Sequence, residues 1–225
     1  MLPAPPPDGF LDPVGEARTR ESALGANSLG LRVLRPKGIP QVRLALRPAR
    51  FSDRDALQSY FRALSPQSRY NRVLIAANEL ALAELARALT ANGRERVTLL
   101  LTRTAESHET VVGETRMALS CAERTAEFSM SIADDWRRLG VGAALLEEIE
   151  RRAAAEGIEW LVGDVLRSNE AMIALARSRG FGLEMGLEGR LLRIKKRLND
   201  AAPDQPCRQW AKIAATDHSS YLGAQ

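Results

Sequence analysis

The chain has 225 residues, 45% hydrophobic and 5% aromatic, and its 32 basic and 28 acidic side chains leave a net charge of +4. This fits a globular protein with one core, and so mild a charge with so few aromatics argues against nucleic-acid binding. Two cysteines and two histidines are too few for a metal cluster, a disulfide framework or a Cys-His nucleophile, and no apolar run reaches the roughly 18 residues of a membrane span.

In chain order, residues 1–41 are rich in Pro, Gly, Ala and Arg and lack periodicity, which predicts a flexible N-terminal arm. Its prolines and acids do not make a secretion signal, so a cytoplasmic location is expected. A domain over 42–198 and a flexible tail over 199–225 follow. The domain opens with "VRLALRP", alternating as a strand, then Ser52 or Asp53 as a cap before Leu57, Tyr60, Phe61 and Leu64 at helical spacing. "LSPQSRYNRV" reads as a turn into a short helix. "NELALAELARAL" predicts a strong helix on Leu80, Leu82, Leu85, Ala86 and Leu89, stopped by Asn92-Gly93.

"RVTLLLTRT", "TVVGETRMAL" and "AEFSMSI" then read as three strands at hairpin spacing, with Cys121 a small core or strand residue. Next come a helix over about 139–155, a buried strand "IEWLVGDVL", a helix "NEAMIALARSR" closed by Gly180, and a final strand "GRLLRIKKRL". The fold class is α/β of the α+β type: a mixed, mostly antiparallel sheet of about six to seven strands flanked by helices.

The chemistry gathers in "EFSMSIADDWRRLGVGAALLEEIE", residues 127–150. Asp134 or Asp135 can cap the coming helix. Gly140 and Gly142 let a phosphate approach the backbone, where first-turn N–H groups and the helix dipole favour an anion. Arg137 and Arg138 add charge. Leu139, Gly142, Leu146, Ile149 and Ala153 form the apolar face. The plain alternative is that the glycines serve only a tight turn. No Gly-Lys-Ser/Thr follows, so this is not a P-loop, and position 145 is Leu, so the third glycine of a dinucleotide site is missing.

The pattern Arg137-x-x-Gly140-x-Gly142 resembles the acetyl-CoA signature of the Gcn5-related N-acetyltransferases (GNAT), Gln/Arg-x-x-Gly-x-Gly/Ala. "SNEAMIALARSRGF", with Asn169 and Gly180-Phe181, resembles the family's second segment, and "LSPQSRYNRV" is similar to the opening of bacterial Pat-type protein lysine acetyltransferases. The resemblance covers about residues 42–198.

What it implies is direct transfer of an acetyl group from acetyl-CoA, a cosubstrate needing no metal, to a primary amine, most often a protein lysine. A small-molecule amine acetyltransferase and a non-catalytic acetyl-CoA-binding module are the alternatives, and oligomeric state is left open. A lysine amine with a pKa of about 10.4 is neutral in only about one part in a few thousand at pH 7, so something must take its proton. Glu127 is the candidate base, because Glu127, Ser129 and Ser131 alternate with Phe128, Met130 and Ile132, and because Pat-type enzymes carry a glutamate in this strand; a solvated strand glutamate is the alternative.

For the cofactor, backbone groups of Arg138, Leu139, Gly140, Val141, Gly142 and Ala143, with Arg137, are expected to hold the pyrophosphate. The edge of Met130, Ser131 and Ile132 is expected to pair with the pantetheine arm, and Asn169 to bond CoA, cap its helix, or both. Many members place a tyrosine donor on the helix after the Asn. Here that position is Ala176, which leaves the general acid unassigned. The stretch from Ser65 to Val73 and the helix expected from Asn78 are placed at the acceptor side, with Arg69 and Arg72 either meeting an acidic surface or solvated.

Overall fold

The computed structural model describes residues 32–34, 42–90, 96–105, 108–120, 122–186 and 189–198. Asn92-Gly93, Cys121, residues 1–31 and the segment 199–225 lie outside the described residues. The strands are β1 (Arg32–Leu34), β2 (Leu44–Pro48), β3 (Arg96–Ala105), β4 (His108–Ser120), β5 (Thr125–Ile132), β6 (Trp160–Leu166), β7 (Gly182–Met185) and β8 (Leu191–Arg197). The helices are α1 (Arg54–Ala63), α2 (Pro66–Val73), α3 (Leu82–Thr90), α4 (Val141–Ala155) and α5 (Glu170–Ser178).

One sheet holds all eight strands in the order β1-β2-β3-β4-β5-β6-β8-β7. Only β5 and β6 run parallel; every other neighbouring pair is antiparallel. This is the expected mixed, mostly antiparallel sheet flanked by helices. Two short strands are additional to the expectation. β1 falls within the segment read as an arm and gains its partner from β2, and β7 is a four-residue edge on β8, too short to show alternation.

Helices cover both faces. In β3 the continuous run "VTLLL" reflects this: Leu99 and Leu101 join the core against α4 and α5, while Leu100 joins a second core with Tyr60 and Phe61 of α1 and Leu85 and Leu89 of α3. In the first core Phe128 meets Phe181 at a ring-centroid distance of 5.9 Å.

Two helix starts differ from the sequence reading. Helix α3 begins at Leu82 instead of Asn78, and Leu82 is 69% exposed. The residues before it are held sideways to the first helices: Gln58 Oε1 accepts from the Leu80 N–H at 3.0 Å and Asn78 Oδ1 accepts from Arg69. Asp53 does precede α1, but its carboxylate caps no helical N–H in the first turn of α1. It accepts two bonds from Arg47, at 2.7 and 2.8 Å, and one from the Arg50 N–H at 2.6 Å.

Candidate active site

The parallel ladder is brief. Thr125, Ala126 and Glu127 pair with Trp160, Leu161 and Val162, and there it stops, although β5 runs on to Ile132 beside β4. The two strands part, leaving the β6 side of β5 from Phe128 onward without a strand partner and its backbone groups available to a ligand. A cleft of about 710 Å³ opens beside this fork. Of the residues singled out from the sequence, Met130, Ser131, Ile132, Arg137, Arg138, Gly140, Gly142, Ala143 and Asn169 line it. The sheet and α4 therefore bring the two halves of the motif together with Asn169 of α5.

The turn into α4 is built differently from the expectation. Asp134 and Asp135 do not cap α4, because Asp134–Trp136 close a separate 3₁₀ turn ahead of it. The cap is Gly140, at φ +76°, a left-handed backbone that glycine adopts without a Cβ penalty. Arg138 is also left-handed, at φ +59°. Ala144 is the residue whose N–H bonds back to the Gly140 carbonyl, at 3.1 Å, so helix geometry leaves the N–H groups of Val141, Gly142 and Ala143 free at the positive end of the dipole. Leu139 and Val141 pack inward against the core, so either can serve an anion only through its backbone. Gly142 has a second reason to lack a side chain: a Cβ there would meet Leu175 Cδ2 at 3.3 Å and Ile132 Cδ1 at 3.5 Å.

Helix α2 forms the opposite wall, with Ser68, Asn71 and Arg72 facing the cleft. Ser65 caps it, its hydroxyl accepting from the Ser68 N–H, and Pro66 occupies the first helical position, where no intrahelical N–H is needed. Asp134 ties this wall to the glycine loop. Its carboxylate accepts from the Ser65 N–H at 2.8 Å and from Ser68 Oγ at 2.6 Å, while Arg137 Nη2 donates to Ser68 Oγ at 2.6 Å and lies 3.2 Å from Asp134 Oδ1. Partial burial works against its charge, but the bonds from Ser68 and Ser65 and the nearby Arg137 prevail and hold the Asp134 carboxyl below the usual range. The sequence had no signal for this link, whose ends are far apart in the chain.

Arg72 is not solvated, and Arg69, half-buried, is tied to backbone carbonyls. Arg69 donates to the carbonyls of Arg62 and Leu64, satisfying the end of α1. Arg72 is buried against β4, its Nε donating to Glu114 Oε1 at 2.5 Å, and Arg116 reaches the same carboxylate at 3.3 Å. Burial disfavours Glu114's charge, yet the two guanidiniums keep its carboxyl below the usual range. A neighbouring polar contact joins Tyr60 of α1 to Ser131, hydroxyl oxygens 2.8 Å apart. Tyr60, Glu114, Ser65 and Ser68 are polar groups of the site to which the sequence reading gave no individual role, and Asp134, expected as a helix cap, has a different one.

Glu127 stands at the fork itself, the last residue of β5 paired to β6, on the sheet face opposite Phe128 and its core. Its side chain is 56% exposed and lies 3.8 Å from Arg193 Nη1, which is closer to Asp164 at 2.9 Å. It is not part of the cleft wall, but it shares a strand face with Ser131, which is. Asn169 caps α5, its Oδ1 accepting from the Met172 N–H at 3.2 Å, and it also faces the cleft. Ala176 is fully buried in the core.

Comparison with known proteins agrees with this geometry. Residues 58–181, more than half the chain, match the acetyltransferase (GNAT) family. An acetyltransferase from Pseudomonas aeruginosa, named PA5475, is 27% identical over 136 residues, 60% of this chain and 73% of its own. In fold, the chain is similar to the GNAT domain of S. lividans PAT, with a TM-score of 0.67 at 22% identity, covering 75% of this chain and 97% of that one. It is also similar to a phosphinothricin acetyltransferase of Sinorhizobium meliloti solved with AcCoA, with a TM-score of 0.56 at 24% identity over 73% and 94% of the two chains. Strand fork, glycine-capped helix and family match together identify the chain as a member of the acetyltransferase (GNAT) family of N-acetyltransferases, enzymes that use acetyl-CoA as donor.

Proposed function

We propose that the chain moves the acetyl group of acetyl-CoA directly onto the side-chain amine of a lysine in another protein. The observation that carries the donor side is the parting of β5 from β6 after Glu127 beside the free N–H groups of α4. In this reading the pyrophosphate sits on the backbone of Arg138 to Ala143, the amides of the pantetheine arm pair with the open edge of Met130, Ser131 and Ile132, and Asn169 closes the far side. Glu127, at the fork, takes the amine proton directly or through a water, and the amine then attacks the thioester carbon.

The acceptor side is supported by two things. The segment "LSPQSRYNRV", which resembles Pat-type protein lysine acetyltransferases, forms α2 and its cap in the cleft wall. Among the described cleft residues, moreover, the cations nearest the acceptor side each face a carboxylate, Arg72 that of Glu114 and Arg137 that of Asp134, although Arg72 Nη2 itself has no hydrogen-bond partner. A small acidic amine would find little free positive charge to anchor it there, whereas a lysine on a protein surface needs none.

The test is acetyl-CoA consumption by the full chain with a panel of proteins and small amines, followed by mass spectrometry of the acetylated product. An acetylated lysine at turnover well above that of any small amine is expected. Preferential acetylation of a free small amine would overturn the lysine assignment and favour the small-molecule reading.

A further inference from the structure

Transfer releases the CoA sulfur as a thiolate, and a partner for that charge is missing from α5, where Ala176 is sealed in the core. A different pair of hydroxyls reaches the cleft from the other side. Ser131 lines it between Met130 and Ile132, just beyond the residue where β5 leaves β6, and its Oγ lies 2.8 Å from the hydroxyl of Tyr60 on α1. Tyr60 is only 4% exposed. Burial pushes its pKa up and the charge of Glu114 adds to this, so the phenol stays protonated wherever the enzyme works.

The phenol proton is buried and its hydroxyl meets Ser131 Oγ, so the sense of the bond that leaves no buried donor unsatisfied is Tyr60 donating to Ser131 Oγ. The Ser131 proton is then free to turn into the cleft. It is also a better donor, because its oxygen is already accepting.

Resting on the acetyl-CoA reading above, we propose that the Ser131 hydroxyl is a catalytic residue: it donates a hydrogen bond to the CoA sulfur as the carbon–sulfur bond breaks, with Tyr60 as its positioning residue. In balance, the amine nitrogen forms the bond to the acetyl carbon and its proton leaves to Glu127 or water. The electron pair of the C–S bond stays on sulfur. Ser131 keeps its own proton, since an aliphatic hydroxyl is a far weaker acid than a thiol of pKa about 8.5, and the thiolate later takes a proton from water. A hydrogen bond to an ionised acceptor is roughly twice as strong as one to a neutral one, so this contact strengthens as charge builds on sulfur and favours the transition state over the bound thioester.

The charged groups around the pair are Glu114 on β4, Arg72 on α2 and Arg137 on the loop. Glu114 is held low and Arg72 high, so neither changes charge between pH 7 and 9. Over that range the titrating group is the thiol of CoA itself.

The experiment compares the full-length wild type with S131A, S131T and Y60F. In steady-state kinetics S131A is expected to lose about ten- to a hundredfold in kcat with KM for acetyl-CoA nearly unchanged, S131T to keep most activity, and Y60F to lose less than S131A. The double variant should be no worse than S131A alone. Calorimetry then measures binding of CoA and of desulfo-CoA, which lacks the sulfur, between pH 7 and 9. Wild type should gain affinity for CoA as the thiol ionises, S131A should lose that gain, and desulfo-CoA should bind both proteins equally, which also reports that the variant is folded. An unchanged kcat in S131A, or the same pH-dependent gain for CoA in S131A, overturns the role of Ser131 alone. If wild type binds neither CoA nor desulfo-CoA, the acetyl-CoA reading falls and this proposal with it.

Discussion

The Asp134 carboxylate accepts a hydrogen bond from Ser68 Oγ at 2.6 Å, and through it α2, one wall of the cleft, is fastened to the loop that leads to α4. Two walls of the cleft thus share one carboxylate. D134N should raise KM for both acetyl-CoA and acceptor, because the same change releases Arg137 and the cap of α2. Its effect on stability has a definite pH sign. The folded-state pKa lies below the ordinary carboxylate value, so the contribution is fully present above about pH 4 and is lost as pH falls through the folded value. Melting curves of wild type and D134N should therefore differ near pH 7 and converge in strong acid; curves equally far apart at pH 7 and pH 3 would rule out the charged network.

Gly142 carries two requirements that substitutions can separate. An added methyl would press on the ends of Leu175 and Ile132, both flexible side chains that can shift by tenths of an ångström. G142A is expected to lower acetyl-CoA affinity modestly, by about tenfold or less, and to stay folded. G142E places a bulky anion where the pyrophosphate would lie and should abolish binding in calorimetry. Preserved affinity in G142E would remove the pyrophosphate assignment.

These two residues also mark what the sequence makes legible. Gly142 lies in a contiguous motif, and the strand, loop and helix around it follow from local alternation, a glycine stop and a 3.6-residue stripe. So do Asn169 and the face of Glu127, since each depends on near neighbours in the chain. A local capping rule makes Asp134 a helix cap, but its partners, Ser65 and Ser68, arrive from a distant helix. The burial of Arg72 on Glu114 was invisible for the same reason, and Tyr60 read as one more apolar position of α1. Leu82 shows the converse error: hydrophobic spacing predicted a buried helical residue, but side-chain bonds to Gln58 and Arg69 hold the preceding chain out of the helix and leave Leu82 in solvent.

If Glu127 is the base, its exposure at the fork means that it can take the proton through solvent as well as directly. E127Q keeps the shape and the strand pairing while removing the acceptor of the proton. A loss of about 10² or more in kcat is expected, with acetyl-CoA affinity unchanged, since Glu127 does not line the cleft. The loss should be smaller toward pH 9, where a larger fraction of the amine is already neutral. Near-normal turnover in E127Q from pH 7 to pH 9 would mean that desolvation or another group removes the proton.

The pair of Arg72 and Glu114 gives a last prediction, about stability instead of turnover. Glu114 is fully buried on β4, and its charge is held there by Arg72 at 2.5 Å and Arg116 at 3.3 Å. Truncating one member of such a group leaves the other charge buried without its partner, which costs about 3–5 kcal/mol in comparable cases, whereas replacing both by apolar residues of similar volume is often close to neutral. E114A should accordingly lower the denaturation midpoint sharply, R72M should do so less because Arg116 still faces Glu114, and the double variant R72M/E114L should recover much of the loss. Additive losses in the double variant, measured by denaturant unfolding, would mean that the two side chains are not coupled. A recovered double variant has a further use: with the fold stable but the charged pair gone, any rise in acceptor KM or fall in kcat that persists reports what the pair does for the substrate, separated from what it does for the fold.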